Sequence, residues 1–225
     1  GKPKTEPAAE VSSSVVKVKG PKRRKTIIPH SKAIIKDVPL PGAFGNTHVN
    51  VDGISITNIL AVRSYPADVA KFCIKARVLA IFPGDVVNYV RFICGNCDAS
   101  SELGKYAESG RVCCNCKSNI EHENDKFVWV FGIVIEDPTG DLPIIVAEED
   151  AEHFLGCPAG DLTLPENGSL VNRFQKSLTD LIATAELPVD QPSRENLFCL
   201  KSYRVQNTAT GLSCIRYRLC NTSLY

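Results

Sequence analysis

The sequence predicts an all-β domain with one main helix, a β-rich α+β fold, and three observations support this prediction. Most apolar segments are short and either alternate with polar residues or are rich in β-branched residues, which is typical of strands. One segment, residues 169–187, instead places apolar residues at helical spacing. No second apolar core of comparable size follows, so residues 46–225 are predicted to form a single domain.

Residues 1–45 precede this domain and are predicted to form a basic, Pro/Ser-rich disordered linker or arm. Within residues 1–26, eight Lys or Arg residues outnumber two Glu residues, which gives a charge of +6. Residues 27–225 hold 18 basic and 23 acidic side chains and therefore carry −5. The stretch GPKRRK at 20–25 is typical of a nuclear-localisation or nucleic-acid-binding patch, and equally of a solvated linker. Because the sequence holds no Met, we expect a fragment of a longer protein.

The first predicted strand, residues 72–81, alternates between apolar and polar side chains. The face predicted to point inward carries Phe72, Ile74, Ala76 and Val78. The face predicted to point outward carries Lys71, Cys73, Lys75 and Arg77. A turn at 83–85 leads to a second strand at 86–93, which is β-branched and aromatic and ends at a cysteine cluster.

After the cluster, residues 126–137 are apolar at both even and odd positions, which indicates a central strand covered on both faces. The turn DPTGD at 137–141 connects this strand to a returning strand at 142–147.

Two helices and a hairpin complete the predicted domain. Residues 148–156 begin with acidic side chains and end on Gly, as a short helix does, and the helix at 169–187 follows. The last two strands, 196–205 and 213–219, are joined by a turn. Five or six strands with a helix before the last pair match the five-stranded Greek-key barrel of the OB-fold.

Five of the ten cysteines lie within 23 residues, and four of them form two Cys-x-x-Cys pairs. Cys94 pairs with Cys97 and Cys113 pairs with Cys116, and fifteen residues separate the pairs, which is the spacing of a zinc site. Two such turns complete a tetrahedron of thiolates at about 2.3 Å from one ion. The sequence therefore predicts one Zn²⁺ in a ribbon at 94–116 inserted into the barrel. Four Cys ligands leave no open coordination position, so this zinc is predicted to be structural.

Disulfides are the first alternative for these cysteines, but they require an oxidising compartment. Plain burial as small hydrophobic residues is the second, and we expect it for the cysteines within apolar segments, Cys73, Cys199, Cys214 and Cys220. Cys114 lacks a partner at the required spacing, and His122 is either a substitute ligand or a solvated surface residue. Residues 98–111 contain little that can be buried, so we expect metal binding to hold this loop.

Catalytic motifs are absent from the sequence. It contains no Gly-rich phosphate loop, no G-x-S-x-G elbow and no H-E-x-x-H. No apolar run approaches the roughly 18 residues of a membrane span. We therefore expect a binding module and not an enzyme, without membrane contact or a small-molecule substrate.

The segments described above resemble the third, C-terminal OB-fold of the protection-of-telomeres protein family and, more distantly, the zinc-bearing OB-fold of the replication protein A large subunit. The matching segments are FCIKARVLAIFPGDVVNYVRFICGNC, KFVWVFGIVIEDPTGDLPIIVAEEDAEHFL, FQKSLTDLIATAEL, and LFCLKSYRV with CIRYRL. They cover most of residues 51–220, and the cysteine pairs are their most specific element. In vertebrate members a resolvase-like module separates the two cysteine pairs, whereas this chain resembles a member without that module.

The resemblance implies a nuclear protein that binds the telomeric single strand and protects chromosome ends. In this family the N-terminal OB-folds bind the single-stranded telomeric DNA, and the C-terminal OB-fold docks a telomeric or telomerase-associated protein subunit. We therefore expect this domain to dock such a subunit and the full-length protein to bind the DNA. The terminal hairpin is the expected docking surface, with Phe198, Tyr203, Tyr217 and Arg218. For Phe198 and Tyr217, burial in the core is the alternative interpretation.

A second hypothesis is direct binding of single-stranded DNA or RNA, in which bases stack on aromatic side chains within a basic groove. The candidate contacts are Lys71, Lys75, Arg77, Arg91 and Arg216, and solvated strand faces are the alternative interpretation of these residues. Residues 27–225 carry a charge of −5, which repels a polyanion, and several aromatic residues lie in strongly apolar strands and are expected to be core. Both observations favour protein docking over nucleic-acid binding. A third hypothesis is a purely structural barrel in a transcription or replication assembly. It differs from the docking hypothesis only in the identity of the partner.

Overall fold

Ten strands and four α-helices occur in the residues that the computed structural model describes, which are 47–49, 53–118, 124–183, 195–208 and 210–224. The predicted arm at 1–45 lies outside these residues. The strands are β1 (Thr47–Val49), β2 (Ile56–Thr57), β3 (Lys71–Phe82), β4 (Val90–Ile93), β5 (Ser100–Glu102), β6 (Lys126–Asp137), β7 (Gly140–Ala147), β8 (Asn196–Gln206), β9 (Ser213–Leu219) and β10 (Thr222–Leu224). The helices are α1 (Ile59–Arg63), α2 (Leu103–Glu108), α3 (Glu148–Leu155) and α4 (Gly168–Ala183), with short 3₁₀ helices at Val86–Tyr89 and Pro165–Asn167.

Five of these strands, β3, β6, β7, β9 and β8, close into a barrel. β3 takes part twice, because residues 71–76 pair with β8 and residues 77–82 pair with β6. β7 pairs with β6 in antiparallel and with β9 in parallel orientation, and β9 returns to β8 in antiparallel orientation. Leu79 is an extra residue where the β3–β6 register shifts, and such a bulge bends a strand. The predicted all-β fold with one main helix and a five-stranded OB barrel is therefore confirmed.

The core fills the inside of this barrel. The predicted inward face of β3 is buried, with Phe72, Ile74, Ala76 and Val78 each at most 7% exposed. Trp129 of β6 is fully buried, and Phe174 of α4 meets its indole edge-on with ring centroids 5.5 Å apart. α4 thus packs its apolar face on the barrel core. Among the described residues, no helix combines the length and apolarity that crossing a membrane requires.

Two predicted elements differ from the structure in their bounds. The predicted strand at 86–93 is a 3₁₀ helix over its first half, because Asp85 caps that turn by accepting a hydrogen bond from the Val87 N–H at 3.0 Å. Strand structure begins only at Val90. The main helix begins one residue earlier than predicted, at Gly168, and residues 184–187 of its predicted end lie outside the described residues.

The isolated cysteines are buried with one exception. Cys73, Cys199 and Cys220 are at most 4% exposed, and the sulfurs of Cys199 and Cys220 lie 3.5 Å apart. The prediction for Cys214 is wrong, because this residue is exposed on β9. It lies in a part of β9 that extends beyond the barrel, where alternation no longer separates inside from outside.

Helix α1 depends on a carboxylate from the β6–β7 turn. The Ile59 N–H donates to Asp137 Oδ2 at 2.7 Å, and the Thr139 N–H donates to Asp137 Oδ1 at 2.7 Å. Burial acts to raise the pKa of Asp137, but the hydrogen bonds from Thr139 and Ile59 outweigh it and lower the pKa below its ordinary value. The charged carboxylate is thus stabilised in the folded protein.

This pKa shift gives a pH dependence with a defined sign. A carboxyl whose folded pKa is depressed stabilises the fold above its unfolded pKa of about 3.9 and loses that contribution as the pH falls through the folded value. We expect Asp137→Asn to destabilise the protein by about 1 kcal/mol at pH 7 and by much less in acid. Urea unfolding at several pH values measures this difference. A difference that stays constant between pH 7 and pH 3 would contradict the role of the charge.

Candidate metal centre and binding surface

Two backbone turns of the same shape present the four cysteines. In the first, the Asp98 N–H donates to the Cys94 carbonyl at 2.9 Å, and in the second the Lys117 N–H donates to the Cys113 carbonyl at 3.2 Å. Asp98 and Lys117, each four residues after the first cysteine of its turn, have positive φ values of 56° and 58°. This repetition indicates two equivalent halves of one site.

The four sulfurs converge on one point. Cys94 Sγ lies 3.7 Å from Cys116 Sγ, Cys97 Sγ lies 3.6 Å from Cys113 Sγ, and all four sulfurs are within 4.8 Å of one another. A tetrahedron with metal–sulfur bonds of about 2.3 Å places its sulfurs about 3.8 Å apart. The predicted quartet is therefore brought together in a form compatible with a structural metal ion. Two disulfides would bring the sulfurs together in separate pairs, and they would not require all four sulfurs to lie in one group.

The surroundings of the site favour the thiolate at two of the four cysteines, Cys116 and Cys97. At Cys113 a backbone hydrogen bond from Cys116 acts to lower the pKa, but burial and the neighbouring sulfurs outweigh it and raise the pKa to about 11. Hydrogen bonds from the side chain and backbone of Ser118 lower the pKa of Cys116 to about 5, and Ser118 Oγ lies 3.0 Å from Cys116 Sγ. A backbone hydrogen bond from Ala99 likewise lowers the pKa of Cys97. A thiolate is the form of cysteine that binds a metal ion. The close approach of Asn124, at 2.5 Å from a Cβ built on Gly95, leaves room only for glycine in the first turn.

The ribbon has a small apolar support that the sequence analysis missed. α2 places Leu103 and Tyr106 three residues apart on one helix face, where they are 0% and 4% exposed. The ring of Tyr106 stacks on Phe92 of β4 with centroids 4.2 Å apart, and burial raises the pKa of Tyr106 to about 12. The expectation that residues 98–111 contain little to bury is therefore wrong. A single-turn helix is too short for periodicity to reveal it.

A partly buried ion pair connects the ribbon to the rest of the domain. Arg111 donates from Nη1 to Asp161 Oδ2 at 2.5 Å and from Nη2 to Thr163 Oγ1 at 3.0 Å. Asp161 is only 3% exposed and also accepts from the Thr163 N–H at 2.9 Å. The ribbon is thus held against the segment between α3 and α4 independently of the cysteines.

The fifth cysteine of the ribbon stays outside the quartet. Cys114 is exposed and is not a member of the group of converging sulfurs. His122 lies outside the described residues, so its role as a substitute ligand stays an untested alternative. Four thiolates already complete a tetrahedral site.

The outer face of β6 and β7 is mainly aliphatic and carries two carboxylates and one lysine. This face corresponds to the barrel surface on which OB-folds bind oligonucleotides. Its outward residues within the described chain are Lys126, Val128, Val130, Gly132, Val134, Glu136, Asp141, Pro143, Ile145 and Ala147. The aromatic side chain over this face comes from Phe82 of β3, which is 47% exposed and lies against Gly132. Sequence analysis missed Phe82, because the bulge at Leu79 reverses the alternation of β3 and leaves no sequence signal.

The five predicted nucleic-acid contacts are distributed over three strands, and two of them are paired with carboxylates. Lys75 forms an ion pair with Glu195, and Arg77 forms one with Glu136. The remaining three lie on different strands, namely Lys71 on β3, Arg91 on β4 and Arg216 on β9. β6 and β7 separate β4 from β9 in the sheet. A groove that tracks a phosphate backbone needs cations along one path.

The four predicted docking residues have four different environments. Phe198 is 0% exposed, so the structure favours its interpretation as core. Tyr217 is half-buried, with its hydroxyl 3.5 Å from the Val62 carbonyl oxygen. Arg218 forms ion pairs with Glu148 and Asp150, each at 2.9 Å. Tyr203 is half-buried on β8 opposite the exposed Arg216 of β9. The accessible part of the predicted surface is therefore the outer end of the hairpin.

Solved structures with the same fold agree with this topology. One chain of the crystal structure of fission yeast Pot1 and Tpz1 superposes with a TM-score of 0.51 and 14% sequence identity, over 82% of this chain and 100% of that chain. This chain has an OB-fold. The resemblance in fold to the protection-of-telomeres protein, stated from the sequence, is confirmed.

Replication protein A is also among the similar structures. A replication protein A heterotrimer bound to single-stranded DNA matches with a TM-score of 0.45 and 16% identity, over 76% of this chain and 36% of that one. Yeast replication protein A bound to single-stranded DNA matches with a TM-score of 0.37 and 17% identity, over 71% and 79% of the two chains. No protein-family model and no curated protein matches this sequence.

Proposed function

We propose that this OB-fold docks a protein partner, a telomeric or telomerase-associated subunit, within a nuclear complex at chromosome ends. The similar crystal structure contains two proteins, fission yeast Pot1 and Tpz1, which supports a role in such a complex. The single observation that carries the proposal is the outer face of β6 and β7. That face is mainly aliphatic, and its two carboxylates outnumber its one lysine, so it offers apolar contact area to a protein but little attraction to a polyanion.

The ion pairs on the neighbouring strands support the same conclusion. Two of the three predicted β3 contacts to a phosphate backbone are paired with a carboxylate, Lys75 with Glu195 and Arg77 with Glu136. Nucleic acid would have to displace these carboxylates before it could bind. A protein surface with its own charges can bind beside intact ion pairs.

The cysteine quartet is proposed to hold one structural zinc ion. Zinc prefers a tetrahedral site of four thiolates, and the convergence of Cys94, Cys97, Cys113 and Cys116 provides one. The ion would close the ribbon and would supply folding free energy, and no catalytic step is assigned to it.

The alternative function is direct binding of single-stranded DNA or RNA by a replication protein A-like domain. It has its own support in a cavity of about 290 Å³ beside the ribbon, which is lined in part by Arg91, Lys105, Tyr106 and Ser101. It is also supported by the half-exposed ring of Phe82, because bases stack on such rings.

A binding measurement separates the two functions. We expect residues 46–225 to bind a G-rich telomeric single strand with a Kd above about 1 µM at physiological salt, because that range is typical of non-specific contact. Fluorescence anisotropy with a labelled strand measures this affinity. Sub-micromolar binding would overturn the docking proposal. So would the loss of function in Lys75→Ala, Arg77→Ala or Arg216→Ala variants that still bind the protein partner.

The partner itself can be identified from nuclear extract of the source organism. We expect mass spectrometry to find a telomeric or telomerase-associated subunit with the wild-type chain and to find it depleted with Arg216→Glu. Lys176→Glu is the matched control, because it makes the same charge change at an exposed position of α4. Equal capture by both variants would exclude Arg216 as a docking contact.

A further inference from the structure

The terminal hairpin extends beyond the barrel. β3 pairs with β8 only as far as Lys201, and β7 meets β9 at a single pair, Ile145 with Arg218. Beyond these points, residues 203–206 of β8 and residues 213–216 of β9 pair only with each other among the described residues. We call this two-stranded segment the hairpin arm.

The hydrogen-bond pattern of the arm defines which backbone groups point outward. The Asn207 N–H donates to the Leu212 carbonyl at 2.8 Å, and the Cys220 N–H donates to the Cys199 carbonyl at 2.9 Å, at the two ends of the same ladder. In an antiparallel ladder, hydrogen-bonded and non-hydrogen-bonded pairs alternate. This alternation assigns the β9 residues that bond to β8 as Cys214, Arg216 and Arg218. The N–H and C=O groups of the intervening residues, Ser213, Ile215 and Tyr217, therefore point away from β8.

The outward edge of β9 is accessible over most of this length. Residues 213–216 are all exposed, and Tyr217 becomes half-buried only where it approaches Val62 of α1. The parallel register with β7 would place Pro143 opposite Arg216 if the ladder continued. Because proline has no N–H to donate, the hydrogen bonds between β7 and β9 do not continue past the single pair.

We propose that the open edge of β9, centred on Ile215, binds a partner protein by accepting one of its segments as an additional β-strand. This inference rests on the proposed docking function and specifies how docking occurs. Strand addition uses the backbone groups of an exposed edge for affinity and the side chains beside it for specificity. Ser213 and Ile215 provide these backbone groups, together with the N–H of Tyr217, because the pairing with β7 at Arg218 directs the Tyr217 carbonyl to Ile145.

The side chains beside the edge define the chemistry of the added segment. Leu212 is 72% exposed and Ile215 is 37% exposed, so apolar side chains of the partner gain contact area there. Arg216 is exposed on the opposite face of the strand and would pair with a carboxylate. The occupant is therefore an extended segment in which apolar and acidic residues alternate.

Charge makes a second copy of this chain a poor occupant. An antiparallel pairing of two β9 edges centred on Ile215 would bring the two Arg216 side chains onto one face as diagonal neighbours, about 7–8 Å apart. Cations on an edge strand are one way in which proteins prevent edge-to-edge association. Arg216 thus favours an acidic partner over self-association.

The test uses the full chain and a defined probe, a capped heptapeptide in which valine alternates with glutamate. NMR titration measures its binding to the wild type and to two variants of Ile215. Ile215→Pro removes an outward N–H but no bond of the β8–β9 ladder, and we expect it to weaken binding at least tenfold. Ile215→Val retains the N–H, and we expect it to bind within about twofold of the wild type.

Amide hydrogen exchange in the wild type provides a measurement that needs no variant. Addition of the peptide is expected to slow exchange at Ser213 and Ile215 and to leave Cys214 and Arg216 unchanged, because the latter N–H groups already bond to β8. Absence of peptide binding would overturn the inference. So would equal binding by Ile215→Pro, or full protection of the Ser213 and Ile215 amides in the free chain.

Other outcomes distinguish this inference from the docking function on which it rests. If Arg216→Glu loses the natural partner while Ile215→Pro retains it, the partner docks on side chains, the docking function stands and strand addition is wrong. If the wild type forms dimers that Ile215→Pro dissociates, the occupant is a second copy and the inference is wrong. If the chain binds the telomeric single strand below about 1 µM instead of a protein, the docking function itself fails.

Discussion

Replacement of Cys116 by Ser is expected to release about one zinc ion per chain and to unfold the ribbon around it. A serine hydroxyl is a poor zinc ligand, and three thiolates cannot complete the cage. The segment from Cys94 to Ser118 would then depend on the β4–β5 pairing, on α2 and on the Arg111–Asp161 ion pair. Elemental analysis measures the zinc, and limited proteolysis measures the opening of the segment. The same result is expected for Cys94→Ser.

Cys114→Ser is the matched control for this prediction. It makes the same chemical change two residues from Cys116, at an exposed cysteine outside the quartet. We expect it to retain the metal and the proteolytic resistance of the wild type. Equal zinc loss in both variants, or a wild-type chain that folds normally and contains no metal, would refute the metal site.

Phe174→Ala is expected to destabilise the domain by about 3–5 kcal/mol, because it leaves a cavity between α4 and the barrel. Phe174 is 1% exposed and packs edge-on against Trp129. Trp129 is the one tryptophan of the sequence, so its fluorescence reports directly on this contact. Guanidinium unfolding followed at this residue gives both the stability and the local exposure of the indole.

Gln175→Ala provides the comparison on the same helix. Gln175 is exposed and Ala is a good helix former, so this variant is expected to change stability by no more than about 0.5 kcal/mol. If Phe174→Ala unfolds at the same denaturant concentration as the wild type, α4 does not stabilise the barrel in the way that its packing indicates.

The features that the sequence predicted correctly are those with a local signal. The alternation at 72–81 identified the buried face of β3, and the helical spacing at 169–187 identified α4. The two Cys-x-x-Cys pairs identified the sulfurs that converge. Periodicity and ligand spacing are properties of neighbouring residues, so they can be read before the fold is known.

The features that the sequence missed depend on contacts between distant residues. The side chain of Phe82 is exposed because one extra residue, Leu79, shifts the register against β6. Tyr106 is buried because the ribbon folds it onto Phe92 of β4. Cys214 is exposed because neither β3 nor β7 pairs with its part of the hairpin. None of these effects has a repeating pattern along the chain.

The sequence by itself determined that this protein is a strand-rich barrel with one main helix and four cysteines spaced for a metal ion. Only the tertiary structure decided which charges are available to a partner and which strand edge stays open. Lys75 and Arg77 carry the same charge as Arg216 in the sequence, but the first two meet carboxylates brought close by the fold. The physical reason is that ion pairing and edge exposure depend on strand pairing between distant segments, whereas alternation and cysteine spacing depend on the local chain.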